Sequence, residues 1–204
     1  MKKIILVIFF VFLAFSPSIS YGQKKNSKKK QSKSVKKSQR LEIIAEIPVE
    51  DGVWKELISK EGSFKILFPK EPEKLIRDND FTSGNSFIEY KLWTNFRKYS
   101  ASFAEFRGEK SLSDEQLKGF YDITRDGIVN QAKGKLLTDK SLRVGNVIGR
   151  EIIYQQENYL VTNRLFLNGN KFYQIITVVE KELNVGTNVQ EYGKKFLDSF
   201  QFIE

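Results

Sequence analysis

Hydrophobic and polar residues alternate along much of the chain, a pattern that is typical of β-strands with one buried face. Residues 64–68 alternate in this way, and a weaker strand is predicted over 73–77. The aromatic-rich segments 87–94 and 99–106 form a predicted hairpin. We therefore predict a first group of four strands.

Two later segments have the periodicity of amphipathic helices. The first is predicted over 114–132, because Ser113 and Gln116 fit a capping box at its start. The second is predicted over 188–199, where an apolar stripe is formed by Val189, Tyr192, Phe196 and Phe200.

Four further strands are predicted between the two helices, over 136–143, 147–156, 159–167 and 171–180. The turns between them are predicted at Gly145-Asn146, Glu157-Asn158 and Asn168-Gly169, and the last is typical of a type I′ hairpin. The order of strands and helices predicts an α+β fold, an antiparallel β-sheet with helices packed on it.

Several short motifs also occur in a familiar order: Trp54, residues 62–69, Gly149-Arg150-Glu151, Phe172-Tyr173-Gln174 and residues 196–200. Over about 54–200 the chain thereby resembles small exported bacterial proteins of the PsbP/Mog-like class. The resemblance implies an α/β/α sandwich around an antiparallel sheet. It carries over no catalytic residue and favours a role in binding or assembly.

The N-terminus has the pattern of a signal peptide. Two lysines precede an apolar run over 4–15, which is too short to span a bilayer comfortably. Small residues at Ser20 and Gly22 suit a signal peptidase, so we expect cleavage near Gly22 and export to the periplasm or the extracellular space. An uncleaved membrane anchor is the alternative. The predicted organisation is a signal peptide (1–22), a disordered Lys-rich tail (23–40), a transitional segment (41–53) and a single α+β domain (54–204).

The positive charge of the chain is concentrated in the tail. Of 34 Lys and Arg residues, two lie in the signal peptide and nine in the tail, which leaves 23 against 25 acids in residues 41–204. The folded region thus carries a formal charge of −2, so we expect no nucleic-acid partner. The tail is either a solvated spacer or a contact to an anionic envelope surface or an envelope protein. The candidate contacts are Lys24, Lys25, Lys28, Lys29, Lys30, Lys33, Lys36, Lys37 and Arg40.

The chain contains no His and no Cys, which narrows its possible chemistry. Disulfides, thiolate metal sites, Cys nucleophiles and His general bases are all excluded. No Gly-rich phosphate loop is present either. We therefore predict a non-enzymatic binding or assembly module of the cell envelope, without a metal, a cofactor or a transmembrane span in the mature chain. The alternatives are a carrier of a small hydrophobic ligand and a carboxylate-dependent hydrolase.

One candidate site follows from the predicted turns. If Glu157-Asn158 and Asn168-Gly169 are both two-residue turns, Glu151 faces Arg164 and Arg164 faces Tyr173 across three strands. This row is either a structural ion pair with an attached hydroxyl or a groove with a ligand-anchoring arginine. The opposite face is expected to be the core, because it carries Tyr154, Val161 and Ile176.

Overall fold

The computed structural model describes residues 53–78, 86–94, 97–105, 112–181 and 187–204, of which 57% lie in β-strands. The strands are β1 (Lys55–Ser59), β2 (Phe64–Phe68), β3 (Glu73–Asp78), β4 (Ser86–Trp93), β5 (Arg97–Glu105), β6 (Lys135–Val144), β7 (Val147–Gln156), β8 (Tyr159–Asn168), β9 (Lys171–Glu180) and β10 (Gln201–Phe202). The helices of this part of the chain are α1 (Asp114–Gln131) and α2 (Thr187–Asp198).

The strands form two antiparallel sheets. Seven of them lie in the order β3-β4-β5-β9-β8-β7-β6, and a smaller sheet has the order β1-β2-β10. The predicted fold class, an α+β protein built as an α/β/α sandwich with helices packed on one sheet, is therefore wrong. The physical reason is that β2 pairs with β1 and with the C-terminal strand β10, so one outer layer is largely a second sheet.

The two sheets enclose an aromatic cluster. Strand β2 points alternate side chains inward, and Phe64, Ile66 and Phe68 are each no more than 1% exposed. Phe68 packs edge-on against Phe196 of α2, with ring centroids 5.0 Å apart. Because aromatic rings bury large areas, this cluster is the main apolar contact between the sheets and α2. Its other large members are Tyr99, Phe103, Phe166, Tyr173 and Phe200.

Helix α1 lies on the opposite face of the seven-stranded sheet. The predicted capping box is present: the Gln116 amide N–H donates to the Ser113 hydroxyl, and the Ser113 N–H donates to the Gln116 side chain. The buried stripe of the helix consists of Phe120, Tyr121, Thr124, Ile128 and Val129.

A tyrosine of α1 also joins two strands of the sheet. The Tyr121 hydroxyl donates to the Ile148 carbonyl at 2.8 Å and accepts from the Leu167 N–H at 2.9 Å. These two backbone groups belong to β7 and β8, one position beyond the ladder pair of Gly149 and Phe166. Burial raises the pKa of Tyr121 to about 12, so the hydroxyl stays protonated and fixes α1 to the sheet.

Two of the three predicted hairpin turns are confirmed. Val144 pairs with Val147 around Gly145-Asn146, and Gln156 pairs with Tyr159 around Glu157-Asn158. The third turn is wrong: Asn168 remains in β8 and pairs with Lys171, so the turn residues are Gly169 and Asn170. Gly169 has φ +61°, and Asn170 is not a positive-φ residue. Positive φ at the first turn residue alone suits glycine there, as in type II′ hairpins.

The predicted signal peptide, the Lys-rich tail and nearly all of the transitional segment lie outside the described residues. Neither α1 nor α2 combines the length and the apolar character that a membrane-spanning helix needs.

Candidate functional site

Glu151 and Arg164 face each other on β7 and β8, as the sequence predicts. The Arg164 Nε donates to Glu151 Oε2 at 2.6 Å, and Lys140 of β6 contacts Glu151 Oε1 at 2.9 Å. The Arg164 Nη2 donates to Asp198 at the end of α2 at 2.7 Å. Lys140, Glu151, Arg164 and Asp198 thus form a continuous chain of ion pairs, called the ion chain below.

Tyr173 is not part of this row, so that prediction is wrong. The shifted third turn pairs Arg164 with Ile175 and Phe166 with Tyr173. Because the shift is two residues, Tyr173 stays on the same face but lies one row away. Its hydroxyl donates to the Gly62 carbonyl at 2.8 Å and joins the sheets. Burial raises the pKa of Tyr173 to about 12, which keeps it protonated in this role.

The expectation about the core needs a second correction. Tyr154, Val161 and Ile176 are buried beneath α1, as expected. The opposite face, which carries Glu151 and Arg164, is also covered and holds the aromatic cluster. The ion chain therefore lies at the border of a second core region.

A cleft of about 300 Å³ opens between α2 and the seven-stranded sheet, beside the ion chain. Its floor belongs to β5, β7, β8 and β9, and its roof to α2. The polar and charged lining residues are Arg97, Lys140, Glu151, Thr162, Arg164, Thr177, Gln190 and Lys194.

The floor of this cleft is formed by successive rows of residues that pair across neighbouring strands. Thr162 pairs with Thr177, and in the next row Leu160 pairs with Val179. Ile153 flanks Thr162 on β7 and Leu197 of α2 covers the floor, so apolar and hydroxyl groups alternate there. The surface can contact hydrocarbon and still offer hydrogen bonds.

Positive charge dominates the lining of the cleft. Four cationic side chains, those of Arg97, Lys140, Arg164 and Lys194, line it together with the single carboxylate of Glu151. Lys194 is exposed and forms no ion pair with any described residue. Glu151 and Asp198 compensate Lys140 and Arg164, so the attraction for an anion from solution is assigned to the exposed Lys194.

A glycine of α2 allows the roof to approach Arg97. A Cβ atom at Gly193 would lie 2.4 Å from Arg97 Nη1, which is too close for a non-bonded contact. Arg97 itself is only 6% exposed. The glycine thus allows the backbone of α2 to approach the Arg97 guanidinium.

Glu151 is ionised within this arrangement. Burial alone would raise its pKa, but the hydrogen bonds from Lys140 and Arg164 outweigh that effect and leave the pKa of Glu151 lowered. A carboxylate that is ionised and paired on both oxygens positions its cationic partners and is poorly suited to donate a proton near neutral pH.

A second cluster of charges lies on the α1 side. Asp139 of β6 accepts from Arg125 at 2.5 Å and from Arg150 at 2.9 Å. Asp122 of α1 accepts from the same two arginines, at 3.2 Å and 2.8 Å. Asp122, Arg125, Asp139 and Arg150 form a closed ring with equal numbers of each charge, called the ion ring below. Its charges satisfy one another, which indicates a structural role.

The described residues contain no group of three or more acidic side chains placed to hold a metal ion. Sequence reasoning missed Arg97, Lys194, Thr162 and Thr177. The pairing of Thr162 with Thr177 could in principle have been predicted from the sequence, because the correct register of the β8–β9 hairpin aligns the two residues. Arg97 and Lys194 carry no local signal, since their meeting depends on how α2 packs.

No protein-family model matches the chain, and no curated protein is significantly similar to it.

Proposed function

We propose that this protein is a non-enzymatic binding module whose cleft beside α2 takes a small anionic ligand. The observation that carries the proposal is that Lys194, a cation without an ion pair to any described residue, lines the same cleft as an Arg164 side chain that is already held in place. Sites that bind small molecules are typically concave and apolar, with a few placed polar groups, and this cleft has both features.

The ion chain supports the proposal because it holds a cation in place before any ligand arrives. Glu151 and Asp198 fix two nitrogens of Arg164, at 2.6 and 2.7 Å, and its Nη1 forms no hydrogen bond with the described residues. A side chain that is already immobilised loses little entropy on binding. Arg164 is thus a pre-organised donor at the wall of the cleft.

The two alternative functions fit the cleft less well. A wholly apolar ligand would cover cationic groups without compensating them, which is costly. A carboxylate hydrolase needs one carboxyl group that can donate a proton and a second one within about 10 Å. Glu151 is ionised and paired, and the neighbouring carboxylate of Asp198 is paired with Arg164, so neither is placed to donate a proton to a ligand in the cleft.

Export and attachment complete the proposal. The predicted signal peptide would deliver the chain to the cell envelope, and the basic tail would hold the domain near an anionic surface or act as a spacer. The signal peptide and the role of the tail are both inferred from the sequence. The folded region carries −2, so attachment through charge would depend on the tail.

The test uses the predicted mature chain, residues 23–204, with sodium acetate and sodium phosphate as probes at constant ionic strength. A ligand that binds the native state raises the melting temperature by an amount that grows with the ratio of its concentration to its dissociation constant. We expect both anions to stabilise the protein more than chloride does. Lys194→Gln should remove at least half of the effect.

The matched control is Lys118→Gln, because Lys118 is an exposed lysine of α1 that forms no ion pair with the described residues. This variant should respond to the anions as the parent does. Equal loss of the response in both variants, or no stabilisation by any anion, would overturn the proposed function.

A further inference from the structure

We infer that β6 is an interaction surface for a second copy of this chain, and that two copies pair antiparallel along β6 about a two-fold axis at Ser141. The two seven-stranded sheets would then form one continuous sheet. This inference is independent of the cleft, because it depends on the outer edge of β6.

Strand β6 is a long, uncovered edge of the seven-stranded sheet. It has ten residues and pairs with β7 on one side only. Seven of the ten residues are exposed, so no other described element covers this edge. The bulge at Leu137 ends the regular part of the strand, which runs from Thr138 to Val144. An exposed edge of this length is a template for another strand.

The turn after β6 determines which backbone groups point outward. The hydrogen bonds of an antiparallel pair alternate along the strands, and the residue pair that encloses a two-residue hairpin turn is a hydrogen-bonded one. Val144 and Val147 are this pair. The backbone groups of Asp139, Ser141 and Arg143 therefore point away from β7, and no backbone hydrogen bond with the described residues engages them.

These three residues are complementary to their own copies. A two-fold axis perpendicular to the sheet keeps like faces together, so Ser141 lies opposite its copy and Asp139 lies opposite Arg143 of the second copy. All six outward backbone groups of each copy are paired in this register. An axis at Asp139 or at Arg143 would instead place like charges opposite each other, which is destabilising.

The charges on this face of β6 also favour a second copy. Arg125 of the ion ring contacts Asp126 at 2.8 Å as well, so three carboxylates share two guanidinium groups. Arg143 lies on the same face of β6 as Asp139 and forms no ion pair with the described residues. The cation that the ion ring lacks in one copy is thus supplied by Arg143 of the other.

The other strand edges are less suited to pairing. Strand β3 has six residues, and its Lys74 already pairs with Glu61 at 2.8 Å. Strands β1 and β10 have five and two residues. Strand β6 therefore offers the longest edge of the described sheets.

The first experiment is sedimentation velocity on residues 23–204 over a wide range of protein concentrations. Pairing along one strand edge is a small interface, so we expect a dimer that dissociates on dilution. Arg143→Glu places carboxylates opposite each other at both ends of the interface and should weaken dimerisation at least about tenfold. Arg143→Lys keeps the charge and should dimerise as the parent does. Lys118→Glu changes the net charge of the chain as Arg143→Glu does, on exposed α1, and should leave dimerisation unchanged.

A second experiment tests the register. The chain has no Cys, so a single introduced thiol reports its own position. Ser141→Cys places two thiols at the axis with Cα atoms about 5.5 Å apart, which a disulfide can span. This variant should form a cross-linked dimer on oxidation. Thr138→Cys is also exposed, but Thr138 lies opposite Val144 of the second copy, so its two thiols are about 20 Å apart and should not cross-link.

A protein that stays monomeric at every concentration would overturn the inference. A dimer that Arg143→Glu leaves intact would overturn it as well, since the contact would then lie elsewhere. Cross-linking of Thr138→Cys as readily as Ser141→Cys would contradict the register and, with it, the two-fold axis at Ser141.

Discussion

The two helices lie on opposite faces of the seven-stranded sheet and are held by different kinds of interaction. Helix α1 is fixed by the ion ring and by the Tyr121 hydroxyl, so its polar contacts to the sheet are mutually satisfied. Helix α2 is anchored by the buried rings and methyl groups near its C-terminus and by one ion pair, and it roofs the cleft that Lys194 lines.

The difference separates structural charges from binding charges. Both clusters use β6 and β7, and the adjacent residues Arg150 and Glu151 belong one to each cluster because successive side chains point to opposite faces. In the ion ring each arginine contacts both aspartates. In the cleft, Lys194 stays unpaired among the described residues, which favours a ligand from outside the chain.

The largest effect is expected at the anchor of α2. Phe196 is fully buried, with ring centroids 5.0 Å from Phe68 and 5.1 Å from Tyr99. Phe196→Ala should lower the free energy of unfolding by about 3–5 kcal/mol, because it leaves a large cavity. Urea unfolding measures this. A loss well under 1 kcal/mol would show that α2 is peripheral to the fold.

Breaking the ion ring should have the next largest effect. Asp139→Asn removes the carboxylate that both Arg125 and Arg150 contact, and should cost about 2–3 kcal/mol, since the arginines remain half-buried without it. The stabilisation of this variant by acetate should not change. A variant that loses the response to acetate while it stays folded would contradict the separation of the two clusters.

Removing the charge of Glu151 should change the dependence of stability on pH. Because the folded-state pKa of Glu151 is lowered, its contribution is present above the ordinary carboxyl pKa of about 4.3 and is lost as the pH falls through the folded value. Glu151→Gln should cost about 1–2 kcal/mol at neutral pH and flatten the acid limb of the stability curve. Thermal melts between pH 3 and 7 measure this, and an unchanged acid limb would contradict it.

Deleting residues 23–40 should have the smallest effect on stability, below about 0.5 kcal/mol, because nine like charges and one apolar residue cannot pack. The deletion should abolish binding to anionic vesicles at low salt, and binding by the predicted mature chain should weaken as salt rises. Equal binding by both forms would leave the tail as a spacer.

Local signals predicted the elements well. The capping box at Ser113, the two turns at Gly145-Asn146 and Glu157-Asn158, and the pairing of Glu151 with Arg164 all depend on nearby residues or on a single turn. The third turn was predicted wrongly. Of its two residues only Gly169, the first, takes a positive φ, and the turn lies one position later in the chain than predicted.

The pairing of distant strands and the packing of α2 could not be predicted from the sequence. Alternation shows that β2 has a buried face, but it does not show that the partners of β2 are β1 and the two-residue strand β10. The cleft could not be predicted for the same reason. Arg97 and Lys194 are far apart in the chain, and they line one cleft only because α2 packs closely on the sheet at Gly193.

The most direct test of the binding proposal is to map the site of acetate by two-dimensional ¹H–¹⁵N NMR on residues 23–204. We expect the largest amide shifts at Thr162, Thr177 and Gly193, with little change at Lys118 and along the rest of α1. Shifts concentrated on α1 and the ion ring, or no saturable shifts at all, would contradict the assignment of the cleft as the binding site.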